Sequence, residues 1–118
     1  MKQDFETVEL TVKNGPDVTI VGRLIASIDS RDHVPEREHN RDRWTVLQVY
    51  ELADGAWVAV QRSISERRGE STYAEASPVP KRPSRDAMAR DVMAAFGWGW
   101  LAKRLAADQG WNIRETYE

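Results

Sequence analysis

Cysteine is missing altogether from the 118 residues. Its absence excludes disulfides, thiolate metal sites and thiol nucleophiles, and it suits a reducing compartment. Histidine is scarce, with only His33 and His39, so imidazole chemistry has a single short stretch to come from. No apolar window approaches the roughly 20 residues that span a bilayer. The opening MKQDFETVEL carries acids where the apolar run of a signal peptide belongs. Charge of one sign is lacking too. Against 19 acidic residues stand 17 basic ones, for a formal net charge of −2, which draws the chain toward neither nucleic acid nor lipid. These absences predict a cytoplasmic protein with no membrane partner, no metal and no cofactor.

What is present is alternation. Phe5 to Val12 places Val8, Leu10 and Val12 on one side and Thr7, Glu9 and Thr11 on the other, the period of a half-buried strand. Asn14-Gly15-Pro16-Asp17 interrupts it with turn chemistry. Val18 to Ile28 reads as a longer strand whose interior Gly22 marks a bulge or a close backbone approach. Residues 29–43 then form a charged loop that offers only Val34 to a core. Trp44 to Leu52 and Trp57 to Ile64 read as a hairpin on Asp54-Gly55, a strong signal for a two-residue type I′ turn. That turn sets Leu52 opposite Trp57. It gathers Trp44, Val46, Tyr50, Leu52 and Trp57 on one face and Leu47, Val49, Val58, Val60 and Ile64 on the other. A short last strand ends by Ala76, and three prolines make residues 77–83 an irregular spacer.

The helical part spans residues 84–110. Ser84 is a suitable N-cap and Asp86 complements the dipole of a first helix running to Phe96, with Met88, Val92, Ala95 and Phe96 inward. Gly97 and Gly110 end two helices in the left-handed conformation. The second helix starts near Trp98 and carries Leu101, Ala102, Leu105 and Ala106 on one stripe, and Trp111 is placed to pack back on its last turn. Strands first and helices last predict one α+β domain over residues 1–118. It has an antiparallel sheet of about five strands within residues 5–76, covered on one face by two short C-terminal helices.

The strand motifs FETVELTV, VTIVGRLI and VLQVYELADGAWVAVQ resemble the β-region of the EXLDI family, across roughly residues 5 to 62. The resemblance implies the sheet and brings no activity with it. Residues 114–118 read Arg-Glu-Thr-Tyr-Glu in place of that family's naming motif.

No constellation has the spacing of a catalytic site. His33 and His39 with Glu36 and Glu38 lie among arginines in one loop and match no standard zinc pattern. None of the serines sits in a G-x-S-x-G elbow. Gly97-Trp98-Gly99-Trp100 joins helices and follows no strand, unlike a phosphate-binding loop. Two short helices cannot cover both faces of an apolar hairpin, and an uncovered apolar patch marks an interface. The expectation is therefore a non-catalytic domain that binds a protein or a second copy of itself. Its contact would run through Trp44, Tyr50, Leu52, Trp57, Arg37 and Arg41, in the manner of small phage- or plasmid-encoded inhibitors of host defence. Two alternatives remain: a single-stranded nucleic-acid platform of the same aromatics with Arg62, Arg67 and Arg68, and a small enzyme of unknown type.

Overall fold

The computed structural model describes residues 5–33 and 42–118. Five strands form one antiparallel meander in chain order: β1 (Glu6–Leu10), β2 (Val18–Asp29), β3 (Arg43–Leu52), β4 (Trp57–Ser65) and β5 (Tyr73–Val79). Two helices follow, α1 (Arg85–Phe96) and α2 (Trp100–Gln109), and a short 3-10 turn at Ser30–His33 leads out of β2. The α+β class, the strand number and the terminal helix pair are those the sequence predicts. Val34, Glu36, Arg37, Glu38, His39 and Arg41 lie outside the described residues.

The sheet curls. The chain beyond β1 reaches the opposite edge strand, where Val12 pairs with Ala74 in parallel and the Ala74 N–H donates to the Thr11 carbonyl at 2.8 Å. A near-closed sheet has an inside, and Leu10, Ile20, Tyr50, Val60 and Ala74 are buried there. The helices cover the outside over Ala26, Ile28, Leu47, Val49, Trp57, Ala59 and Val79. The hairpin face that the helices leave bare is thus covered largely by the first two strands, which corrects the expectation that it stands open.

β2 serves both layers through one irregularity. Gly22 and Leu24 pair with Leu52 and Tyr50 on the inner face; the register then shifts, and Ala26 and Ile28 pair with Val49 and Leu47 under the helices. Ile25 is the extra residue of a bulge, which bends the strand and changes the face its later side chains occupy. Just before it, Gly22 lies so close to β3 that an added Cβ would sit 2.7 Å from the Glu51 carbonyl oxygen. The close approach read from the sequence is at this glycine.

The β3–β4 register differs by one residue from the predicted one. Glu51, not Leu52, faces Trp57. The loop has three residues: the Leu52 N–H donates to the Ala56 carbonyl at 2.8 Å, the Gly55 N–H to the Leu52 carbonyl at 3.0 Å, and Gly55 takes φ +91°. This is the three-residue hairpin with glycine in the left-handed position. A slip of one residue moves every side chain of a strand to its other face. Trp57 therefore joins Leu47 and Val49 on the helix face, while Val58, Val60 and Ile64 join Tyr50 and Leu52. Trp57 is 2% exposed, stacks on Trp111 with ring centroids 5.5 Å apart, and has Arg85 over its ring at 5.4 Å.

β5 continues through Pro78 to Val79 instead of ending at Ala76. It is an edge strand, where a missing donor leaves the ladder intact. In α1 the buried stripe is Met88, Ala89, Val92 and Met93; Ala95 is exposed and Phe96 half-buried, because 88, 89, 92 and 93 repeat at the i, i+4 spacing of one face. The Ser84 hydroxyl accepts the Ala87 N–H at 3.3 Å. α2 starts at Trp100 and buries Leu101, Ala102, Leu105 and Ala106 as predicted.

Candidate functional site

The curl is incomplete at the end of the sheet that carries the β3–β4 turn. Among the described residues the chain of β1 bridges β5 at Ala74 alone, and no bridge follows along the outer edge of the later half of β5. An open groove of about 570 Å³ results, lined by the start of β2 (Val18 to Val21), the hairpin tip (Leu52, Ala53, Asp54), Val58 of β4, and Ala76 and Pro78 of β5. Its size falls in the range of binding sites, and the mouth of a curled sheet is a common place for one.

Local chemistry fixes each wall. The Asp17 carboxylate accepts the Val12 N–H at 3.1 Å, which turns the chain into β2 and aims Val18 and Ile20 inward. The Asp54 carboxylate accepts the Ala56 N–H at 2.9 Å and sets the tip that carries Leu52. Val21, 57% exposed, continues the apolar surface over the rim. Among the described residues of the lining, Asp54 is the single charged one.

The sequence-predicted contact residues do not form one patch. Of the four aromatic and aliphatic members, only Leu52 lines this groove. Tyr50 is buried inside the curl, its hydroxyl 3.4 Å from Gln48 Oε1. Trp57 is buried under the helices on the other side of the sheet. Trp44 is half-buried at the far end of β3, with the Arg31 guanidinium 4.0 Å over its ring and a buried indole N–H that has no partner among the described residues. Arg37 and Arg41 fall outside the described residues.

Of the arginines of the nucleic-acid alternative, Arg62 lies in β4 and Arg67 and Arg68 in the turn that follows it. Arg62 Nε donates to Gln48 Oε1 at 2.6 Å. Arg67 lies 3.4 Å from Asp42 and 3.8 Å from Glu70, and Arg43 donates to Glu70 at 2.7 Å. The hydrogen bond from Arg43 holds the Glu70 carboxyl below the usual carboxylate range, and Arg31 does the same for Asp29. Arg68 is exposed in the turn. Of the three, Arg67 has its charge paired, which lowers what it offers a phosphate backbone.

Sequence reasoning missed the groove itself and one other surface. The turn between the helices exposes Trp98 (40%) and Trp100 (56%) beside a cavity of about 230 Å³, lined by Ser30, Thr45, Phe96 and Trp100 among others. Trp98 holds φ +59°, a costly conformation for a bulky residue. Among the described residues no group of histidine and carboxylates could hold a metal ion, and no helix is long and apolar enough to cross a membrane.

No protein-family profile, curated protein or solved structure matches the chain.

Proposed function

We propose that this chain is a non-catalytic protein-recognition domain, a small inhibitor or regulator that holds its target at the open end of the curled sheet. The observation that carries the reading is the groove around Leu52: an open, apolar, concave surface on a rigid sheet, continued over its rim by exposed Val21. Such surfaces supply the anchor pockets of protein interfaces, where a few well-seated side chains dominate affinity. Catalysis finds less support. The buried residues among those described are hydrophobic or glycine, with Tyr50 supplying the one hydroxyl, and the carboxylates held below their ordinary range, Asp29 and Glu70, each sit in an arginine ion pair away from the groove. A nucleic-acid platform is disfavoured by the ion pairing of Arg67 and by the burial of Tyr50 and Trp57.

The test compares capture of proteins from extracts of the encoding organism by the immobilised full chain and its variants. Wild type and Trp100→Ala should retain the same protein, and Leu52→Glu and Val21→Glu should each retain at least tenfold less while keeping the wild-type circular dichroism. Equal retention by all four would refute the reading.

A further inference from the structure

The occupant of the groove can be narrowed by its charge. Among the described residues the floor and walls are apolar except for Thr19 and Asp54, of which Asp54 carries a charge. One of its oxygens, Oδ1, accepts the Ala56 N–H, and no ion pair of Asp54 within 4.0 Å is formed among the described residues. Lys81 runs along Gly55 at the tip but does not line the groove. An apolar slot ending at a carboxylate complements an apolar side chain next to a cation, since rim charges select partners by sign. The apolar surface also passes over the rim of the slot to Val21, 57% exposed. That extension suits a polypeptide more than a small amphiphile. Strand addition to β5 is disfavoured, because Pro78 takes a donor away from that edge.

We infer that the groove takes a segment of a partner protein in which an aliphatic or aromatic residue stands beside a lysine or arginine, the apolar side chain seated against Leu52 and Val58 and the cation on Asp54. This rests on the protein-recognition reading above and names the chemistry of the partner.

A random twelve-residue peptide library displayed on phage and selected on the immobilised full chain provides the test. Enriched peptides should pair an apolar residue with an adjacent lysine or arginine. A synthetic consensus peptide should bind Val21→Glu at least tenfold more weakly than wild type. Asp54→Lys should lower affinity for the consensus at least tenfold and raise it for the same peptide with glutamate in place of the basic residue. Enriched peptides that need Val21 but ignore the charge at position 54 would overturn the inference and leave the recognition reading standing. Peptides indifferent to both positions would overturn both. Two further outcomes would also assign the groove to another occupant and overturn the inference. One is a dimer in sedimentation equilibrium that Val21→Glu dissolves. The other is saturable binding of dansyl-labelled decylamine with no peptide enriched.

Discussion

The two faces of the β3–β4 ribbon are covered by different means. On one, α1, α2 and the segment after them lay a dense layer of side chains over Leu47, Val49, Trp57 and Ala59, all of which are buried. On the other, the chain's first two strands fold across Tyr50 and Val60 and bury them equally well, while Leu52 and Val58 toward the hairpin tip remain half-buried. Strands cover a curved face only as far as they run, and the chain of β1 leaves β5 after Val12 and Ala74. One cover seals; the other ends in a groove. The difference shows how a small domain hides an apolar ribbon with few elements and still keeps an apolar recess at one end of it.

Substitutions at matched positions sharpen that contrast. Trp57→Ala should cost about 3–5 kcal/mol in urea denaturation, since a fully buried indole is lost under the helices and Trp111 loses its stacking partner. Leu52→Ala, at the groove rim, should cost only about 1 kcal/mol, because it is half-buried and part of its surface is already in water. Equal costs at the two sites would break the comparison. Gly22→Ala comes next, at roughly 1–3 kcal/mol, as its Cβ would meet the Glu51 carbonyl at the point where β2 begins its bend.

The two helix stops offer a smaller contrast of the same kind. Both are Gly-Trp, and in both the glycine is left-handed and the tryptophan N–H closes the last turn, Trp98 onto Met93 and Trp111 onto Ala106 at 3.0 Å each. Trp111 is buried on Trp57, whereas Trp98 is exposed and takes the positive φ itself. Trp98→Gly should therefore leave stability unchanged or raise it by up to about 1 kcal/mol, measured by the same denaturation.

The smallest effect concerns acid. Hydrogen bonds from Arg31 hold the Asp29 carboxyl below its ordinary value of 3.8. A lowered folded-state value means that the pair's stabilisation is complete at neutral pH and is lost as pH falls through that lowered value. The pair is partly exposed, so Asp29→Asn should lower stability by less than about 1 kcal/mol at pH 7. The deficit should disappear in strong acid, as read from thermal unfolding at both pH values.

Much of this fold was legible in the letters, and the misses have physical causes. Helix caps depend on residues within four positions, so Ser84, Gly97 and Gly110 could be placed directly. The hairpin depends on one residue more or less. Ala53-Asp54-Gly55 fits a two-residue turn and a three-residue loop equally well in sequence, and only the second sends Trp57 under the helices. Val18, Ile20, Leu24, Ala26 and Ile28 read as one continuous face, because the bulge at Ile25 changes the face without disturbing the even-numbered apolar pattern. The groove belongs to no local motif. It exists because strands distant in sequence meet at one end and part at the other.

The covering of the inner face by the first two strands is most directly tested by nuclear Overhauser contacts between the edges of the meander. In a flat sheet β1 and β5 would lie about 19 Å apart, four strand spacings of roughly 4.8 Å, beyond the reach of any such contact. The curled sheet predicts cross-peaks between Val12 and Ala74 and between the side chains of Leu10 and Val60. Their absence, with the β3–β4 cross-peaks present in the register Glu51 to Trp57, would contradict it.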